Sequence, residues 1–235
     1  MKRTYVIGLD IGTSSVKGIL QPTDGKGTPV TGRQSFRYRT AADGCVEIDA
    51  EAYLDSCFAL LRDLSAALPE DAELLAVSAA SASGNVLFLD EEDRPLTPIV
   101  NWQDRRTDGQ ADAVLGADFD VEAYFASTGW GFDKKTFPLA TLCRWKVQWP
   151  ALFSETNQLC MSTEYLYKTL CGAWGLSTSA GTPFYLIDQQ TGKYRTDVLS
   201  VLGLSETQLP PVVPVGSVIG RVTQDGAGKS GLPVG

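Results

Sequence analysis

The segment Gly8-Leu9-Asp10-Ile11-Gly12-Thr13-Ser14-Ser15-Val16-Lys17 holds the residue types that can handle phosphate. An apolar run ends in a carboxylate, a glycine permits a tight turn, and three hydroxyl residues follow. Successive backbone N–H groups in such a turn can converge on phosphate oxygens. Asp10 would then hold Mg²⁺, directly or through water, because hard oxygen donors suit that ion. Gly12, Thr13 and Ser14 would cradle the phosphates, and Lys17 on the following strand would add positive charge. The competing reading is a plain hairpin with a Ser/Thr-rich turn. A second segment, Asn101-Trp102-Gln103-Asp104-Arg105-Arg106, suits a polyol. Trp102 offers a flat apolar face to C–H groups, Asp104 accepts hydrogen bonds from hydroxyls, and Gln103 and Arg105 add directional partners. Here the alternative is a core tryptophan and an Asp104 that caps a helix starting near Thr107. In Ser81-Ala82-Ser83-Gly84-Asn85, Ser83 and Asn85 are either hydroxyl contacts or parts of a small-residue turn.

Elements that could position these groups are legible around them. Tyr5 to Asp10, Val16 to Leu20 and Pro29 to Arg39 read as three consecutive antiparallel strands. Asp49 is a good N-cap, and Tyr53, Cys57, Leu60, Leu61, Leu64 and Leu68 fall at helical spacing, which predicts a helix over 50–68 ended by Pro69. Leu74 to Ser81 reads as a buried strand. Val86 to Leu89 and Ile99-Val100 flank a charged turn. The order β-β-β-α-β predicts a mixed sheet covered by helices. From Arg106 to about Cys171 the pattern is helical. Thr136 is a candidate cap before Pro138, and Ser162 a cap for a helix closed by Gly172. Phe184 to Ile187 reads as a strand, Asp197 to Leu202 as a short helix, and Leu209 to Pro214 as extended. Gly226-Ala227-Gly228-Lys229-Ser230 resembles the end of a phosphate loop, but Thr223 replaces the required glycine and Pro233 opposes a following helix. It is read as a surface loop.

Composition removes whole classes of chemistry. With no histidine in 235 residues, His-based nucleophilic triads and His-ligated zinc are excluded, and a carboxylate becomes the default general base. A net charge of −8 opposes a nucleic-acid or anionic-membrane surface. No segment reads as a signal peptide or membrane span. The five cysteines form no C-x-x-C pair, so reduced thiols in a cytoplasmic protein are expected.

The opening segment resembles the first phosphate motif of the actin-like ATPase superfamily. The stretch Ile99-Val100-Asn101-Trp102-Gln103-Asp104-Arg105-Arg106-Thr107 is similar to the Trp-x-Asp-x-Arg segment of the FGGY carbohydrate kinases, which include xylulokinases, gluconokinases and glycerol kinases. Glu47-Ile48-Asp49 before a helix fits that family's first domain. So does Phe137-Pro138-Leu139-Ala140-Thr141-Leu142 followed by Trp145 and Pro150. The resemblance runs from Tyr5 to Gly235.

It implies one ribonuclease H-like α/β domain over residues 1–235, with a five-stranded mixed sheet flanked by helices and a helical lobe near 107–180. It also implies ATP and Mg²⁺ as cofactors, a sugar or polyol as substrate, and a C-terminal ATP-binding domain as partner. A homodimer stays open. Family members are about twice this length and carry a catalytic Asp in a Gly-rich segment soon after the position of Gly235, so the general base is expected beyond it. At Ser81 to Asn85 xylulokinases have Gln-Met-His-Gly and glycerol kinases an Arg-Glu pair. This chain has neither, which disfavours glycerol and puts xylulose in doubt. The rival readings are a non-catalytic sugar- or partner-binding module and a different actin-like ATPase.

Overall fold

Tyr5, Ile7, Leu9 and Ile11 alternate along β1 (Thr4–Ile11), so one face of the strand is buried and the other carries Asp10. In the computed structural model, which describes residues 2–107, 110–129 and 137–235, β1 pairs antiparallel with β2 (Ser15–Pro22), and β2 with β3 (Val30–Ser35). The expected third strand over 29–39 is broken. The chain leaves the sheet at Phe36, whose ring is buried against Tyr53 with centroids 5.2 Å apart, and resumes as β4 (Tyr38–Thr40), paired with β5 (Val46–Ile48).

Next comes α1 (Ala50–Ala66), two residues shorter than predicted. Asp49 caps it by accepting the Ala52 N–H at 2.9 Å. The helix lies across the sheet at Gly18 and Gly32. A Cβ there would come within 2.7 Å of Leu64 Cδ1 and 2.6 Å of Leu60 Cδ1 respectively, so glycine lets the two layers close. The chain then returns as β6 (Glu73–Ser81), parallel to β1, giving the order β3-β2-β1-β6. The main sheet is mixed, as expected, with four strands instead of five. Among the described residues only β1 pairs with β6, so this strand is an edge and not buried as predicted, and Leu75 is 55% exposed.

The charged turn Asp90–Arg94 joins β7 (Leu87–Leu89) towards β8 (Ile99–Val100), and β8 extends a separate sheet in the order β4-β5-β8. The helical region holds α2 (Gln110–Leu115), α3 (Val121–Thr128) and α4 (Phe137–Gln148), then β9 (Gln158–Cys160), which pairs with β7, and α5 (Ser162–Cys171). The helix expected near Thr107 is described from Gln110 onward, and the proposed Thr136 cap lies outside the described residues. Ser162 is the first helical residue, with Met161 at the cap position.

After β10 (Leu176–Ser177) comes α6 (Thr178–Phe184), where a strand over 184–187 was predicted. The Ser177 hydroxyl accepts the Ala180 N–H at 3.1 Å and starts a helix that Tyr185 ends at φ 66°. Only β11 (Ile187–Asp188) is extended there, paired with β12 (Lys193–Tyr194). Past α7 (Thr196–Leu202), β13 (Val212–Val213) lies parallel to β10.

The predicted surface loop at Gly226–Ser230 is instead α8 (Gln224–Ser230). Thr223 caps it through the Gly226 N–H at 3.0 Å, and it packs on α1 and α5 so closely that a Cβ on Gly226 would lie 1.9 Å from the Leu170 carbonyl oxygen. A phosphate loop needs a helix to begin at Ser230, and here one ends. One apolar core fills the space between the main sheet, α1 and α5; a second surrounds Phe88, Trp145, Phe153 and Tyr185 in the helical region. Among the described residues no helix is long and apolar enough to cross a membrane. All five cysteines are free thiols, four of them buried.

Candidate functional site

Parallel pairing of β1 with β6 sets Ile11 opposite Ser81, and the Ala82 N–H donates to the Ile11 carbonyl at 2.7 Å. The hydroxyl-rich turn and the Ser81–Asn85 loop therefore leave the sheet side by side at the carboxyl ends of two parallel strands, where open α/β sheets place ligands. Within the turn, the Gly12 N–H donates to Ser15 at 2.9 Å and the Phe36 N–H to the Ser14 carbonyl at 2.9 Å. These bonds fix the turn's shape. Thr13 is half-buried, Ser14 exposed and Ser15 buried. Asp10 and Lys17 face each other across the hairpin, with Nζ 3.2 Å from Oδ2, and both side chains are more than half exposed. Such a pair adds little to stability, which leaves both groups open to exchange partners.

A small cleft, with an interior of about 10 Å³, lies beside this turn. Ile11, Gly12 and Thr13 form one side, Ala82, Ser83 and Asn85 a second, and Asn101 with Trp102 a third. Phe36, Tyr38, Ile48, Tyr53, Ile99 and Ser162 complete it. Trp102 is 39% exposed at this cleft and is not the core residue of the alternative reading. Asn101 is held by its own side chain, which donates to the Tyr38 hydroxyl at 3.1 Å and accepts the Gln103 N–H at 3.0 Å. Asn85 reaches across to α5, its carbonyl accepting the Ser162 N–H at 2.8 Å. Ser83 also borders a second cavity, which runs along β6 past Thr163, Glu164 and Tyr167. The Ser81 and Thr163 hydroxyls are hydrogen bonded and tie β6 to α5.

Gly12, Thr13, Ser83 and Trp102 are thus brought together. Asp10, Ser14 and Lys17 belong to the same hairpin but lie outside the cleft lining, and Gln103 is exposed beside it. Asp104 departs furthest from its predicted place. It is 2% exposed and does not line the cleft. One oxygen accepts the Val46 N–H at 2.9 Å and the other the Arg106 N–H at 3.0 Å. Arg106 Nη2 binds Asp104 at 2.6 Å and Glu47 at 2.8 Å, and Arg39 Nη2 meets Glu47 at 2.5 Å. Both carboxylates are occupied, and Asp104 does not contact the cleft.

Asp104 pins the 101–106 loop to β5, helped by the Asn101 N–H to the Val46 carbonyl at 2.9 Å. Burial works to raise the Asp104 pKa, but the Arg106 hydrogen bonds and the two amides outweigh it, and the carboxyl is held below its ordinary value. Glu47 follows the same balance, with Arg106 and Arg39 overcoming burial. Cys45, Glu47 and Asp104 come within 4.8 Å of one another, a spacing that can hold a metal. Here the Arg106 guanidinium supplies the positive charge.

Asn101, Tyr38, Tyr53, Phe36 and Ser162 escaped assignment from sequence as site residues, whereas Asn85 is read there as a candidate hydroxyl contact. Tyr53 and Phe36 carried only core-type periodicity. Asn101, adjoining Trp102, was the one with a usable signal.

A mixed α/β sheet of this order, flanked by helices, is that of the actin-like ATPase fold. Residues 5–235 match the N-terminal domain model of the FGGY family of carbohydrate kinases, and the chain belongs to that family. It is 27% identical to the L-xylulose/3-keto-L-gulonate kinase of Escherichia coli K12, over 98% of this chain and 46% of that protein. It is 23% identical to a gluconokinase of Bacillus licheniformis, over 97% of this chain and 44% of that protein. Among solved structures, the xylulose kinase of Rhodospirillum rubrum superposes with a TM-score of 0.88 at 27% identity, covering 98% of this chain and 48% of that one. The gluconate kinase of Lactobacillus acidophilus gives 0.88 at 21% identity, covering 99% and 46%, and speaks for the fold alone. The chain spans less than half the length of these relatives.

Proposed function

We propose that this chain is the sugar-binding half of an ATP-dependent kinase that phosphorylates a hydroxyl of a sugar or polyol. One observation carries the reading: the Gly12–Thr13 turn and the Asn101–Trp102 loop line a single cleft. A polyol against the Trp102 ring can rest its C–H face on the indole and turn its hydroxyls to Ser83 and Asn85. Its reacting hydroxyl would then lie near the turn, and alignment of acceptor with phosphoryl donor is most of what such a transfer requires. Thr13 and Ser14 would orient the phosphates of ATP. Asp10 fits a Mg²⁺ ligand as an exposed hard oxygen donor at the end of β1, and Lys17, now its partner, would turn to the phosphates. Mg²⁺ would offset the charge of the transferring group.

Asp104 would act from behind, holding the loop that presents Trp102. None of the described lining residues is a carboxylate. The general base is therefore assigned to a Gly-rich segment beyond Gly235 and the adenine site to a C-terminal domain, in keeping with the greater length of the relatives. Free thiols fit a cytoplasmic setting.

Calorimetric titration of the chain with D-xylulose, D-gluconate and glycerol, with and without Mg·ATP, tests this. Binding of a ketose or aldonate that falls at least about tenfold in Trp102→Ala is expected. Mg·ATP binding with no response to any sugar would replace the reading with that of a different actin-like ATPase. Sugar turnover by the isolated chain would remove the need for a second domain.

A further inference from the structure

Asp10, Lys17 and Arg33 stand in register across three strands. Asp10 is opposite Lys17 on β1 and β2, and Lys17 is opposite Arg33 on β2 and β3. Residues directly opposite in antiparallel strands share a face of the sheet. The neighbouring row, Leu9, Gly18 and Gly32, meets Leu60 and Leu64 of α1, so the charged row points away from that helix. It lies one pair in from Ile11 and Val16, the last pair before the hydroxyl-rich turn. Lys17 is engaged by Asp10. Arg33 is exposed and makes no hydrogen bond or ion pair among the described residues. Like charges directly opposite across a strand pair cost stability, and Lys17 and Arg33 are such a pair. A chain of net charge −8 repels a polyanion overall, so binding one takes positive charge gathered locally. Were Asp10 to serve a metal, Lys17 would be released, and two cationic side chains would stand together beside the turn. β3 is also the edge of the main sheet, where a charge guards against pairing with another chain. That role needs no ligand.

We propose that Arg33 is a further polyphosphate-binding residue, joining Lys17 in holding the phosphate chain of the nucleotide against the turn. Its planar guanidinium can engage two phosphate oxygens at once, where Lys17 offers a point charge. A phosphate bound between them also relieves the repulsion between the two side chains. The inference rests on the phosphate-turn reading above and adds to it a residue from the third strand.

Wild type, Lys17→Gln, Arg33→Gln and Arg3→Gln are titrated calorimetrically with magnesium tripolyphosphate, and each free protein is unfolded in urea. Arg3 precedes β1, about 23 Å along the strand from Asp10, and controls for the loss of one positive charge. Arg33→Gln should bind about fivefold more weakly than wild type and keep the wild-type urea midpoint, whereas Arg3→Gln should bind as wild type does. The Arg33→Gln loss should shrink as salt is added. Equal affinity in wild type and Arg33→Gln, or the same loss in Arg3→Gln as in Arg33→Gln, overturns the inference, while a Lys17→Gln loss keeps the turn reading standing. A loss in Arg33→Gln that comes with a lower urea midpoint or with self-association assigns Arg33 to guarding the sheet edge and also overturns it. If wild type does not bind magnesium tripolyphosphate, the turn reading falls and takes this inference with it.

Discussion

Glu164 should control how the stability of this protein depends on pH. It lies in the first turn of α5, is 2% exposed and leaves Oε2 without a partner among the described residues. Burial raises its pKa from 4.5 to about 8, with backbone amides at Glu164 and Met161 opposing the shift. Between those two values the folded protein keeps a proton that the unfolded chain has released. The stabilisation is therefore full below pH 4.5, falls as pH rises through the window, and levels off above 8.

Integrated from pH 5 to pH 8, the loss is about 3 kcal/mol. Because the chain has no histidine, few other groups titrate there, and the slope can be assigned to one carboxyl. Urea unfolding at half-unit steps from pH 5 to 8 measures it. Glu164→Gln, which mimics the protonated acid in shape and neutrality, should flatten the profile to within about 1 kcal/mol and be the more stable protein at pH 8. A flat wild-type profile, or a Glu164→Gln profile parallel to it, would refute the reasoning.

Asp104→Ala should cost about 3 kcal/mol, since it strips a partly buried arginine of one of its two carboxylates and two amides of their acceptor; urea unfolding reports this. The Asp104 carboxyl is held low, so its contribution is present above the unfolded pKa and disappears as pH falls below about 4, a window separate from that of Glu164. Gly226→Ala should destabilise by about 3 kcal/mol because its Cβ would meet the Leu170 carbonyl, a backbone atom with no rotamer to escape to; a shift in melting temperature smaller than about 2 °C would contradict it.

Legibility followed the range of the interactions. The β1–β2 hairpin, the Asp49 cap and the face of α1 rest on contacts between near neighbours in the chain, and all three were readable. The Phe36 break was not, because what draws Phe36 from the sheet is Tyr53, seventeen residues on. The α8 segment read as a loop for the same reason: two glycines depress helix propensity, and packing against α1 and α5 adds to the Thr223 cap to favour the helix.

Local chemistry was enough to mark Asp10 through Lys17 as a phosphate-type turn and Trp102 as a candidate sugar platform, because side-chain type and strand period act over a few residues. That Thr13, Ser83 and Trp102 share one cleft was decided by the parallel pairing of β1 with β6 and the docking of the 101–106 loop on β5. The same folding withdrew Asp104 from the cleft. A carboxylate that reads as a ligand in the sequence can be claimed by an arginine two residues away and a strand 58 residues back. Only tertiary structure chooses between those partners, because burial decides whether the carboxylate can do without them.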